Sequence, residues 1–154
     1  MFRKLRRSKQ KLSDQEVLEL LESEKRGVLS MIGENGYPYG IPLNFYYNKN
    51  TNKIYFHGAK EGHKIDSIKI NNKACFTFYN QGEQRDGDWS YYVKSVIAFG
   101  HINIVDGIDQ LKELGLKYYP SQEEVEEEIK KAGPRVQMLE FTIEHITGKT
   151  VHEK

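Results

Sequence analysis

Cysteine is almost absent from this chain. A single one, Cys75, stands among 154 residues, so no internal disulfide framework and no multi-cysteine zinc site can form. It lies inside the apolar run "ACFTFY" and reads as a small core residue rather than a nucleophile. Long apolar runs are missing too. Nothing approaches the roughly 20 residues that span a bilayer, and the charged opening lacks the apolar stretch of a signal peptide. Net charge is also small: Lys and Arg number 23 against 22 Asp and Glu, a formal +1. No overall field draws such a chain to nucleic acid or to a membrane. The expectation is a cytoplasmic protein with neither partner.

Several chemical signatures are missing as well. There is no GxGxxG, no GxSxG elbow and no outstanding carboxylate pair. The five histidines, His57, His63, His101, His145 and His152, show no paired metal spacing, so no metal site is expected. With no nucleophile–base pair in sight, any catalysis would have to be carried by a bound cofactor.

What charge there is, is uneven. The opening "FRKLRRSKQK" is basic, and residues 1–11 read as a solvated, flexible segment, since no groove-reading motif accompanies them. "SQEEVEEEIKK", from Ser121 to Lys131, reads as a solvated acidic helix face. The remainder, 1–154 taken whole, is read as a single domain with one sizeable core.

The elements follow from spacing. Ser13 with Glu16 three residues on is a capping box, and Val17, Leu18 and Leu21 then make an apolar stripe, predicting a helix over 14–24. "GVLSMI" and "IPLNFYY" flank a turn at Asn35-Gly36, and "NKNTNK" separates the latter from "KIYFH", a three-strand antiparallel meander. Ile65 and Ile68 predict a short helix within 61–70, after which "KACFTFY" returns to strand. "WSYYVKSVIAFGHINIV" is long enough for one bent strand or two. Ile108, Leu111, Leu114 and Tyr118 lie at helical spacing; Pro120 stops that helix, and Ser121 with Glu124 caps the next. A final strand alternates Leu139, Phe141 and Ile143 against Glu140, Thr142 and Glu144. The sum is an α+β, mainly β domain: a six- to seven-stranded antiparallel small barrel with peripheral helices.

Three places invite chemistry. In "YFHGAKEGHKID", Gly58 and Gly62 allow tight turning, Lys60 and Lys64 add positive charge, and a helix start would aim free N–H groups at an anion. The same composition also suits an ordinary strand-to-helix corner. His57 alternates with Ile54 and Phe56, so it faces either a groove or half-exposed solvent. Pro42 inside a strand pattern marks an edge or a bulge, leaving backbone groups nearby free. Trp89, Tyr91 and Tyr92 beside Ser95 form an aromatic cluster that suits a core or a subunit contact.

The order of these motifs is more telling than any one of them. "GVLSMIGENGYPYGIPLNFYY", then "KIYFHGAKEGHKIDSIKINNKACFTFY", then "YYVKSVIAFGHINIV" resembles the FMN-binding split-barrel superfamily of pyridoxamine 5′-phosphate oxidase-like proteins. Within that superfamily the chain is most similar to the nitroimidazole-resistance flavoproteins, from about Leu12 to Lys149. The resemblance implies a homodimer of split barrels with FMN in grooves at the subunit interface. It implies that Lys64 binds the FMN phosphate, helped by Lys60 and the Gly62–His63 backbone. Ile41, Pro42, Leu43 and Asn44 would run beside the isoalloxazine and ribityl chain, and His57, Gly58 and Ala59 would line the flavin pocket. Trp89, Ser95 and Val96 would form a wall from the other subunit, and His57 is the one candidate for an acid–base role. The basic opening matches only loosely, and no pyridoxal phosphate motif is present. Two functions stay open: an FMN-dependent oxidoreductase passing electrons to a small flat acceptor, nitroaromatic or quinone-like, or a non-catalytic flavin, haem or deazaflavin binder or sensor.

Overall fold

The computed structural model describes residues 1–152. Its first helix, α1 (Asp14–Ser23), starts at the capping box: Ser13 Oγ accepts from the Glu16 N–H at 3.2 Å, and the Glu16 carboxylate accepts from the Ser13 N–H at 2.9 Å. Val17, Leu20 and Leu21 are its buried stripe. A hairpin of β1 (Arg26–Ile32) and β2 (Pro38–Asn44) follows, turning at Gly36 with φ 83°. Then come β3 (Tyr46–Asn48), β4 (Lys53–Ala59), α2 (His63–Ile70) and β5 (Lys73–Tyr79). The two-residue β6 (Glu83–Gln84) precedes the long β7 (Tyr91–Val105). Helices α3 (Ile108–Tyr118) and α4 (Gln122–Ala132) lead into the last strand, β8 (Val136–His152).

The strands form one antiparallel sheet in the order β2-β1-β5-β7-β8-β4-β3, with β6 on β7. Eight strands replace the six to seven read from the pattern, for two local reasons. β6 is too short to leave a periodic trace, and "IPLNFYY" is not one strand but two. Phe45 divides them: β2 pairs with β1, while β3 pairs with β4. Consecutive strands therefore lie at opposite ends of the sheet, and the sheet must curl for one residue to join them.

That residue has left one ladder and not yet joined the other, so its backbone groups need partners elsewhere. The end of α3 supplies them. The Phe45 N–H donates to the Tyr118 hydroxyl at 2.8 Å, and the Phe45 carbonyl accepts from Lys117 Nζ at 3.0 Å. Lys117 Nζ also lies 3.8 Å from the Phe45 ring centroid. Burial pulls the pKa of this lysine down to about 8, against a raising contribution from Glu24.

Inside the curl, alternation does the packing. Ala74, Phe76 and Phe78 of β5 point in, and Lys73 and Tyr79 point out. Phe45, Phe56, Phe76 and Phe78 are fully buried, their rings 4.9–5.5 Å apart in the contacting pairs. Leu29, Ile54, Val96, Leu139 and Phe141 complete the centre. One bulge bends the β7–β8 ladder between Phe99 and Gly100, leaving Glu144 unopposed. Gly100 is required there, because a Cβ would sit 1.9 Å from the Thr142 carbonyl oxygen.

The two outer faces differ. Over β4 and β8, α3 and α4 cover the sheet through a cluster of Tyr55, Leu111 and Met138. Ile108, which opens the helical stripe in the sequence, is exposed and takes no part. Over β1, β5 and β7, Val28, Ile32, Tyr79 and Phe99 stay exposed. The basic opening segment reaches this face: the Phe2 ring stacks on Phe99 and on His145 at 5.4 and 5.0 Å.

Candidate functional site

The corner from His57 to Lys64 is built by three local facts. β4 ends at Ala59, and α2 begins at His63 rather than at Glu61 as its pattern suggested. Between them Gly62 adopts φ 131°, a backbone that side chains rarely tolerate, and caps α2 without any side-chain hydrogen bond. The first N–H groups of α2 are thus left without a capping side chain. Ile65 and Ile68 bury the helix, and the buried Ser67 Oγ accepts from the Glu34 N–H at 3.0 Å. His63 Nδ1 meets the Glu34 carboxylate at 3.0 Å, and its ring stands edge-on to Tyr39 at 4.4 Å. These contacts pin α2 to the β1–β2 hairpin and hold the His63 ring through its Nδ1.

Lys64 is not committed. Among the described residues it makes no hydrogen bond or ion pair, yet it is half-buried, and that burial lowers its pKa. Its ammonium lies directly on Gly58: a Cβ there would stand 2.4 Å from Nζ and 3.2 Å from Cε. A partly desolvated cation with no acceptor, beside uncapped helix N–H groups, is a place where an anion would be stabilised.

His57 occupies the other face of the same strand. It alternates with Phe56 and Gly58 and is half-buried; its Nδ1 is inaccessible and has no hydrogen-bond partner. Burial first, and the charge of Lys64 second, lower its pKa, so the ring is neutral at neutral pH. His57 and Asn44 together line a cleft of about 220 Å³ with residues of α3 and α4, Glu128 among them, and with Val136 of β8. Asn44 Oδ1 accepts from Arg26 Nε at 2.9 Å.

The remaining sequence-derived candidates are dispersed. Ile41 and Leu43 pack half-buried against the core, and Pro42 lies exposed on β2, the outermost strand, opposite Val28. Gly58 belongs with Lys64, and Ala59 is exposed at the strand end. Lys60 parts company with Lys64: it borders a different cavity of about 640 Å³, shared with Tyr55, Asp106, Gln137 and Glu140. Trp89 is 88% exposed in the loop before β7, and Ser95 is half-buried on that strand. Val96 is fully buried in the core on a strand paired on both sides, and it presents no surface to a ligand. Neither the α3–α4 roof over His57 nor the Lys117–Tyr118 clamp was picked out as functional from the sequence. The stripe Leu111, Leu114, Tyr118 signals a buried face, but spacing does not say what it buries.

Among the described residues no group of histidine, cysteine, aspartate and glutamate could hold a metal ion. No described helix is long and apolar enough to cross a membrane. Residues 13–150 match the family described as pyridoxamine 5′-phosphate oxidase. No curated protein sequence matches the chain. Among solved structures, a candidate 5-nitroimidazole antibiotic resistance protein of Bacteroides thetaiotaomicron is 20% identical with a TM-score of 0.76; the match covers 92% of this chain and 87% of that one. An FAD-binding protein of Mesorhizobium loti is 19% identical at TM-score 0.65, covering 92% and 96%. The flavocytochrome Anf3 of Azotobacter vinelandii is 16% identical at TM-score 0.73, covering 96% and 72%. At these identities the structural likeness establishes the split-barrel fold.

Proposed function

From its membership of the pyridoxamine 5′-phosphate oxidase family, to which this chain belongs, we propose that the protein is a flavoprotein that holds FMN at the Lys64 corner. The observation that carries this reading is the Lys64 ammonium seated on Gly58 without an acceptor of its own. The residues fit the group: a cation and uncapped N–H groups for a phosphate, and a glycine where a side chain would exclude that cation. Two of the structural neighbours are described as an FAD-binding protein and a flavocytochrome, which favours a flavin in this fold.

In this reading Lys64 and the Gly62–His63 backbone hold the phosphate, with Lys60 free to swing toward it from its exposed position. Ile41 to Asn44 run along the ring system and ribityl chain, with His57, Gly58 and Ala59 opposite. Trp89 and Ser95 close the site from a second copy of the chain. The exposed apolar residues Val28, Ile32 and Tyr79, on a face with the small Gly40 and Pro42, support that homodimer. A bound flavin supplies the electron transfer, to a small flat acceptor of the nitroaromatic or quinone class. The chain supplies orientation, phosphate anchoring and a neutral imidazole at His57 able to bond an acceptor's polar group.

Native mass spectrometry of the purified protein tests this directly. The expected result is a dimer carrying one FMN per chain, yellow in solution. A colourless protein that takes up no added FMN would overturn the reading. The lack of an acid–base pair favours a second reading, a flavin, haem or deazaflavin binder without turnover. Reduction of nitro compounds or quinones by NAD(P)H, measured against free FMN, separates the two.

A further inference from the structure

Between β2 and β3 the chain changes partner strands within one residue. Asn44 is the last residue paired to β1, opposite Arg26, and Tyr46 is the first paired to β4, opposite Tyr55. Phe45 belongs to neither ladder. Its ring packs on Phe76 and Phe78, with centroids 5.0 and 5.2 Å away. Ring packing does nothing for the backbone N–H of this buried residue, which still needs an acceptor, since orphaned buried N–H groups are rare.

Tyr118 supplies that acceptor. Its hydroxyl accepts from the Phe45 N–H at 2.8 Å. Its one proton is shared between two carbonyls, that of Phe45 at 2.8 Å and that of Lys25. Lys117 serves the same two segments from the side, donating to the Phe45 carbonyl at 3.0 Å and to the Glu24 carbonyl. The Phe45 carbonyl therefore has a second donor, whereas among the described residues its N–H has Tyr118 alone. One hydroxyl joins the end of α3, the residue just before β1 and the seam between β2 and β3. The residue before that seam is Asn44, whose Oδ1 accepts from Arg26 Nε at 2.9 Å. Removing the hydroxyl would release the backbone one residue away from Asn44.

We infer that Tyr118 is a positioning residue for Asn44: by holding the Phe45 N–H, its hydroxyl sets where the last residue of β2 stands relative to β4. The consequence for a ligand rests on the flavin reading, in which Ile41 to Asn44 run along the ring system and Lys64 holds the phosphate. Tyr118 then governs the ring end of the flavin, and Lys64 the phosphate end.

Tyr118→Phe keeps the aromatic body and removes the hydroxyl, and two measurements on the purified protein test it. In two-dimensional NMR the Asn44 side-chain amide signals should shift and broaden, while the backbone signals of Gly62 to Lys64 stay in place. In fluorescence titration FMN and riboflavin should both weaken, by one common factor of about three- to tenfold. Lys64→Ala, in contrast, should weaken FMN alone. If Tyr118→Phe does not fold, Tyr118→Leu, which leaves room for a water at the freed N–H, serves in its place. A role in stability only would lower the urea midpoint and leave the Asn44 signals and both affinities unchanged, and that result overturns the inference. So does a loss confined to FMN, which would place the effect at the phosphate. A wild type that takes up neither flavin, with the Asn44 signals displaced as described in the variant, removes the flavin reading alone. Flavin uptake with the Asn44 signals unmoved in the variant removes the inference alone.

Discussion

Gly58→Ala puts the anion corner to a test that separates position from charge. Gly58 lies in extended strand, outside the left-handed region, so an alanine adopts the backbone without strain. Within 4 Å its new Cβ meets only Lys64, at 2.4 Å from Nζ and 3.2 Å from Cε. The cheap response is for the flexible end of that lysine to move, and the fold should keep its stability to within about 1 kcal/mol. The ligand should not be indifferent. A hydrogen bond to a charged group is worth about 1.5–3 kcal/mol, or roughly tenfold to 150-fold in dissociation constant. Gly58→Ala should therefore weaken FMN by an amount approaching that of Lys64→Ala. Both changes act through one ammonium, so the double variant should lose no more than Lys64→Ala alone, a strongly non-additive cycle. Riboflavin, which lacks the phosphate, should bind all four proteins alike. Fluorescence titration gives every term. Wild-type FMN affinity in Gly58→Ala, additive losses in the double variant, or equal losses for riboflavin would each refute the reasoning.

Two further predictions concern the frame that holds the corner. Burial keeps Lys117 near a pKa of about 8, below the ordinary 10.5. Between those values the unfolded chain binds a proton that the folded one does not, so this group makes stability rise with pH. In urea unfolding, the stability of the wild type relative to Lys117→Met should therefore grow from about pH 7.5 to about pH 9.5; a flat or shrinking difference refutes it. Gly100→Ala forces a Cβ to 1.9 Å from a backbone oxygen at the β7–β8 bulge. It should cost about 3 kcal/mol or more, the upper range of overpacking, and a thermal midpoint unchanged from wild type would show that the bulge yields freely.

The sheet was legible because its strands alternate and its caps are local. Ser13 with Glu16, Ser121 with Glu124 and the Asn35-Gly36 turn act over two or three residues, and each appears in the structure where its spacing places it. The composition of the corner was legible for the same reason. Its division was not. Lys60 and Lys64 look equivalent in sequence, but the turn at Gly62 and the start of α2 send one to the rim of the 640 Å³ cavity and the other onto Gly58. Val96 shows the same limit, because a residue next to a polar loop in sequence proves to be core once β7 is in register with β5 and β8.

The break at Phe45 was the hardest to see, since the groups that make it possible, on Lys117 and Tyr118, lie 72 and 73 residues away. It is also what ties the candidate site together. The chain from Ile41 to Lys64 leaves the sheet at one end, passes through Phe45 and re-enters at the other end as β3 and β4. That single arm carries Asn44 and His57 to the walls of one cleft, with Lys64 just beyond. The pairing of "YGIPLNF" with "YFHGAKEGHK" in the sequence thus has a physical basis. The two motifs are the approaches to one seam, and α3, which satisfies the backbone of that seam, also roofs the space beside it.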